Sequence, residues 1–204
     1  MADIHTSRND HRGALPLLRK AVEIQPKLTR SRNNLAACLI GMRQLGEAET
    51  LLRSILEEYP KFPLANYNLG LLRERQGRLA DARAAYAAEV ENHPKSEAAR
   101  FNLGDLLLRE GDAGGAEKQM RILIEQDPKN ARPYLLLARA MLNDAARLGE
   151  VEKLALAGLD RAKESDLKAL GYFVLADVYS RQGRRADLQN ALRMGEHYRS
   201  LIKG

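Results

Sequence analysis

The fold class predicted by this sequence is all-α: a right-handed α-solenoid of about five 34-residue helix–turn–helix repeats. Three observations predict it. First, Pro26, Pro60, Pro94 and Pro128 stand 34 residues apart, and each is followed by a lysine (Lys27, Lys61, Lys95, Lys129). Second, small and large residues recur in register with those prolines. Leu35-Ala36, Leu69-Gly70, Leu103-Gly104 and Leu137-Ala138 form one set, Ala48, Ala82 and Ala116 a second, and Leu52, Tyr86 and Met120 a third. A small residue beside a large one lets a neighbouring helix approach closely. Third, hydrophobic residues make up 45% of the chain but aromatics only 5%, with no Trp, so the core is Leu and Ala, both strong helix formers.

Each element follows from these columns. Residues 11–28 read as a half-repeat, a lone second helix with Ala14, Leu18 and Ala21 closed by Pro26. Its first helix is missing or reduced to residues 1–10, a segment expected to be flexible or to improvise one. Regular repeats follow at 29–62, 63–96 and 97–130. Between their helices stand Gly46, Gly77, and Gly111 with Gly114-Gly115; glycine tolerates the left-handed conformation that ends a helix. The proline then closes the second helix. The fourth repeat, 131–168, is degenerate. It opens on Tyr134 to Ala138, yet Leu175 of the next repeat stands 38 residues after Leu137, so four residues are inserted, placed within 143–150. Asp166 takes the place of the closing proline. The fifth repeat, 169–204, carries Leu175-Ala176, Tyr179, Gly183, Leu188 and Leu192, and its second helix runs on to about Ile202 as a cap over an apolar end. Glu89 is out of pattern. It occupies a slot filled elsewhere by Ile55 and Leu123, so its helix is rotated or its carboxylate finds a partner.

Residues 11–204 form one repeat array in this reading. The single cysteine, Cys38, has no partner for an internal disulfide and reads as a small buried thiol. Residues 1–10 hold no apolar stretch and no run approaches a membrane span, so the cytoplasm is the default compartment. The net charge of +6 is uneven: residues 1–34 and 161–204 each carry +4, and residues 35–160 carry −2. Charges of both signs alternate along the helices, the pattern of a solvated surface rather than of a basic stripe for nucleic acid.

The stretch from Asn66 to Ala82 (NYNLGLLRERQGRLADA) and that from Arg100 to Asp112 (RFNLGDLLLREGD) carry a specific likeness, reinforced by three successive intervals of one length. Over residues 11–204 the sequence resembles the tetratricopeptide-repeat family. The resemblance implies a concave groove lined by the first helix of each repeat, and protein–protein interaction as its use. At one column of those helices stand Asn34, Asn68 and Asn102, broken by Leu136 in the fourth repeat. An asparagine offers an acceptor and two donors to a peptide backbone. Repeats advance by about 8–10 Å, which an extended chain covers in about three residues. The ladder therefore either grips a partner's backbone or serves helix packing. Tyr67 and Phe101 occupy the adjacent column and suit either aromatic anchoring of a ligand or packing against the neighbouring first helix. Arg75 and Arg109, one repeat apart, either meet acidic ligand groups or complement the dipole of a solvated helix end, and Asp105 and Arg139 share a further column where they are expected to pair with each other. Some family members clasp a C-terminal carboxylate with a basic and asparagine clamp; here Asn33 and Ala37 occupy those positions, so that ligand is not expected.

No catalytic constellation stands out. His5, His11, His93 and His197 lie far apart, no cysteine pair exists, and no glycine-rich phosphate loop or nucleophile elbow is present. The sequence therefore predicts a non-enzymatic protein- or peptide-binding scaffold with no cofactor and no metal. Its rivals are a repeat module of a larger enzyme or secretion-related assembly, and a homo-oligomerisation module acting through the uncapped N-terminal end. Nucleic-acid binding through Arg181, Arg184, Arg185, Arg193 and Arg199 is disfavoured by the mixed charge.

Overall fold

The computed structural model describes residues 11–202; the N-terminal segment 1–10 lies outside the described residues. Among those described are eleven α-helices, one 3-10 turn and no strand. In order they are α1 (His11–Ile24), α2 (Thr29–Gly41), α3 (Leu45–Glu58), α4 (Ala65–Arg75), α5 (Leu79–Asn92), α6 (Glu97–Arg109), α7 (Ala113–Gln126), α8 (Ala131–Met141), α9 (Leu148–Arg161), α10 (Ser165–Arg181) and α11 (Arg185–Ser200). From α2 onward they alternate as first and second helices of successive repeats. Pro26, Pro60, Pro94 and Pro128 each stand two residues past the end of a second helix. No helix among the described residues is long and apolar enough to cross a membrane.

The described chain divides into two compact units between Ala99 and Arg100, within α6. In the first, Ala14 and Leu18 of α1 join Leu35, Ala36 and Leu39 of α2 and Ala48 and Leu52 of α3 in one buried cluster. In the second, the cluster gathers Met120 and Leu123 of α7, Leu136 and Leu137 of α8, Val151 of α9 and Leu175 of α10. The small–large columns meet as their spacing predicts. A Cβ at Gly70 would run into the Tyr86 ring, and one at Gly104 into the Met120 side chain. Close approach of first to second helix thus rests on the missing side chain.

The turns correct one expectation. Gly77, Gly111 and Gly183 take φ of 75°, 87° and 71°, but in the first full repeat the left-handed residue is Arg43, at φ 59°. Gly46 lies inside α3, and Gly114 and Gly115 lie inside α7, so none of the three stands between helices. The four extra residues of the fourth repeat fall only partly inside the window 143–150 read from the sequence. One precedes α9, which starts 11 residues after Leu137, where the regular second helices start 10 after Leu35, Leu69 and Leu103; the other three lie between Arg161 and Leu175, in the longer start of α10. Residues 142–147 link α8 to α9 where other repeats use three residues, and the extra length forms a 3-10 turn, Ala145–Arg147. Asp144 caps that turn by accepting from the Ala146 N–H at 3.1 Å. Asp166 falls in the first turn of α10, where a carboxylate complements the helix dipole. The last helix ends at Ser200, and Leu201 and Ile202 beyond it stay more than half exposed.

Candidate functional site

The asparagine column does not present three equivalent side chains. Asn68 is buried, and its amide nitrogen donates to Asn33 Oδ1 at 3.0 Å, tying α4 to α2. Asn34 and Asn102 are half-buried. The Asn33 position, where the carboxylate clamp would need a cation, is thus a buried packing position in this chain.

Tyr67 and Phe101 are both half-buried. Tyr67 leans on Tyr86, ring centroids 5.9 Å apart and planes tilted by 42°. Phe101 lies under the Arg132 guanidinium of α8, whose carbon is 5.4 Å from the ring centroid. Asp105 and Arg109 continue the Phe101 face of α6 at helical spacing of four. Asp105 is half-buried and Arg109 exposed, whereas Leu103, Leu106 and Leu107 of the same helix are buried. Arg75 and Arg139 are exposed at or near the ends of α4 and α8. The expected Asp105–Arg139 pair does not form among the described residues: the two stand on different helices, and no ion pair joins them within 4.0 Å.

The perturbed titratable groups serve the scaffold. Glu117 of α7 accepts both arms of the Arg147 guanidinium, at 2.7 and 2.8 Å, and Arg121 at 2.8 Å. Glu150 takes Arg121 at 2.6 Å and Arg147 at 3.1 Å, closing a four-residue network over the lengthened linker. The Arg147 hydrogen bonds pull the Glu117 carboxyl down to about 2, outweighing its partial burial. Arg32 clasps Glu58 at 2.8 and 2.9 Å, which holds that guanidinium above its ordinary value. Burial pushes the Arg100 guanidinium down; its Nη1 donates to Gln119 Oε1 at 2.8 Å. Most of the C-terminal arginines are engaged internally. Arg184 binds Glu152 and Asp187, Arg181 donates to the Leu142 carbonyl, and Arg193 and Arg199 bond to Asn190 and Glu196.

Of the two outcomes the sequence left open for Glu89, the structure has the second: the carboxylate finds a partner, which is backbone. Glu89, 1% exposed, accepts from the Leu64 N–H at 2.8 Å and the Tyr67 N–H at 3.4 Å, so it caps the start of α4 from within α5. Leu64 there is left-handed, at φ 65°. An acid in an otherwise apolar column was the only signal. No cluster of three metal-ligating side chains occurs among the described residues.

The family model described as "Tetratricopeptide repeat" matches residues 35–97, 67–131 and 101–157, together more than half of the chain. The chain belongs to the tetratricopeptide-repeat family. No curated protein sequence matches it. Among solved structures, the fold is similar to PilW, titled a widely conserved type IV pilus biogenesis factor: TM-score 0.76, 20% identity, covering 93% of this chain and 86% of that one. It is also similar to YrrB, titled a tetratricopeptide-repeat protein with an unusual peptide-binding site: TM-score 0.74, 15% identity, 89% and 91% covered. PilF of Pseudomonas aeruginosa is similar at TM-score 0.78 and 15% identity, with 93% and 85% covered. At these identities the likeness to solved structures is one of tetratricopeptide fold.

Proposed function

We propose that this tetratricopeptide-repeat chain is a non-enzymatic scaffold that holds an extended segment of a protein partner on the face of its first helices. The observation that carries the reading is the stripe Phe101, Asp105, Arg109 on α6. Residues spaced by four share one side of a helix; Arg109 is exposed and Phe101 and Asp105 are half-buried, while Leu103, Leu106 and Leu107 fill the core. An aromatic ring, a carboxylate and a guanidinium in line offer an apolar anchor and charges of both signs, the chemistry that reads peptide side chains. Arg132 on the Phe101 ring and the exposed Arg139 extend it along α8. Half-buried Asn102, next to Phe101 on α6, supplies backbone hydrogen bonding in this reading, whereas in the first unit Asn68 is tied to Asn33. The absence of catalysis is supported by the strongly shifted Glu117 and its arginine partners being consumed in one structural network. The similar fold whose title names a peptide-binding site supports the ligand class.

An array of extended peptides probed with wild type and with Phe101→Ala/Asp105→Ala/Arg109→Ala tests the reading. Peptides retained by wild type should be lost by the variant, with helicity by circular dichroism unchanged. Equal retention by both proteins would refute the assignment to this stripe.

A further inference from the structure

A second feature adjoins that stripe at Arg132, where the loops that open α8 and α10 meet in the second unit. Lys129, Asn130, Ala131 and Arg132, at the entry to α8, and Arg161, Lys163, Glu164 and Leu167, around the entry to α10, line one cleft of about 330 Å³. Four of its lining residues are cations and one is an acid. Three of the four cations make no ion pair among the described residues. Lys129 and Lys163 are exposed and make no ion pair among the described residues. Arg132 makes none either and rests on Phe101. Arg161 is built in as the wall. It donates to the Pro128 carbonyl at 2.8 Å and the Ala157 carbonyl at 2.7 Å, lies 4.8 Å from the Tyr134 ring centroid, and touches exposed Asp160 only at 3.7 Å. Asn130 Oδ1 is occupied by the Arg132 N–H, so it does not oppose an incoming anion. Elsewhere in the same unit, the arginines of the Glu117 and Glu152 networks are each matched by carboxylates.

Like charges gathered in a concavity repel one another and focus a positive potential, which an anion relieves. The positive end of α8 adds to that field. We propose that this cleft binds the carboxylates of an acidic segment of a protein partner, as a docking point distinct from the α6 stripe. Its lining favours a peptide over single-stranded nucleic acid, because Ala131 and Leu167 are its only apolar residues and no aromatic platform stands in it for bases to stack on. Lys129 and Lys163 stand one repeat length apart, 34 residues, so each loop offers one ammonium group to successive acids of an extended chain.

The test is fluorescence anisotropy of a labelled oligoglutamate peptide at about 0.15 M salt, where exposed charges further apart than about 8 Å are screened. Lys129→Glu/Lys163→Glu should weaken binding about tenfold or more. Lys118→Glu/Lys153→Glu carries the same change of net charge on exposed positions of α7 and α9, and should leave binding within about twofold. Asp105→Ala/Arg109→Ala, which spares the Phe101 ring under Arg132, should also leave it unchanged, which separates this cleft from the peptide stripe. Equal weakening by the two lysine pairs would overturn the proposal in favour of diffuse attraction. So would displacement of the peptide by millimolar inorganic phosphate, which would make the cleft a phosphate site, or the failure of wild type to bind the peptide. Circular dichroism of both lysine double variants shows whether any loss reflects folding.

Discussion

The second repeat (α4, α5) and the fourth (α8, α9) meet the same requirement, a first helix held against a second, by different means. In the second repeat the helices are joined by a three-residue link with Gly77 left-handed. Gly70 admits the fully buried Tyr86 ring, whose hydroxyl donates to Glu74 at 2.6 Å, and Glu89 caps the start of α4 from inside. In the fourth, the link is twice as long and has no left-handed glycine. Its contact inverts the columns: the glycine, Gly158, is on the second helix and admits Leu135 of the first. Over the link lies the Arg121–Glu117–Arg147–Glu150 network. Where the repeat length is kept, fitted packing and a buried cap hold the pair; where the first helix ends early and the link is longer, surface charge holds the 3-10 turn.

The predictions probe that contrast, beginning with the largest effect. Glu89→Ala removes the buried cap, leaves a cavity and strips the Leu64 and Tyr67 N–H groups of their acceptor; it should cost about 3 kcal/mol in urea unfolding. Glu89→Gln keeps the volume and one acceptor, and should cost about 1 kcal/mol. A comparable loss from both would show that the charge rather than the cap matters. Next, Gly70→Ala forces a methyl into the Tyr86 ring and should cost about 2 kcal/mol. The first full repeat carries Ala36 and Leu52 in these two columns. In a Tyr86→Leu background the same change should therefore cost nothing or gain slightly from helix propensity. A double-mutant cycle with no coupling would contradict the fitted contact.

Smaller effects belong to the charged region and the turns. Glu117→Gln should cost about 1 kcal/mol at neutral pH, discounted for the partial exposure of its partners. Folding lowers the Glu117 carboxyl from 4.5 to about 2, so the folded state binds the proton less well. Its stabilisation is complete above about 4.5 and is lost as pH falls toward 2, so the gap between wild type and variant should close over that window. The smallest effect is at the first turn. Arg43→Gly relieves a left-handed arginine and should gain about 0.5 kcal/mol after the entropy of glycine is subtracted, whereas Gly77→Ala should lose about 1 kcal/mol.

The same contrast explains what could be read from the residues alone. The period of 34, the prolines beyond each second helix and the small–large contacts are local or strictly periodic, and all were visible in the columns; the insertion was visible as a total of four, but not its division between the link before α9 and the start of α10. The left-handed turn at Arg43 was hidden because a glycine three residues on, Gly46, imitates the signal. Asn68 bonding to Asn33 lies 35 positions apart, one beyond the period, so a comparison of equal columns cannot find it. The cation cleft was hidden for a related reason. The four lysines after the prolines were evident, but the fifth member, Lys163, follows Ala162 rather than a proline.

Amide hydrogen exchange of wild type and Glu117→Gln at neutral pH measures the contrast most directly, because it reports local opening element by element. The expected result is lost protection confined to α7, α9 and residues 142–147, with α4 and α5 unchanged. Equal loss across α4 and α5, or none over the lengthened linker, would contradict the assignment of charge to the irregular repeat and packing to the regular one.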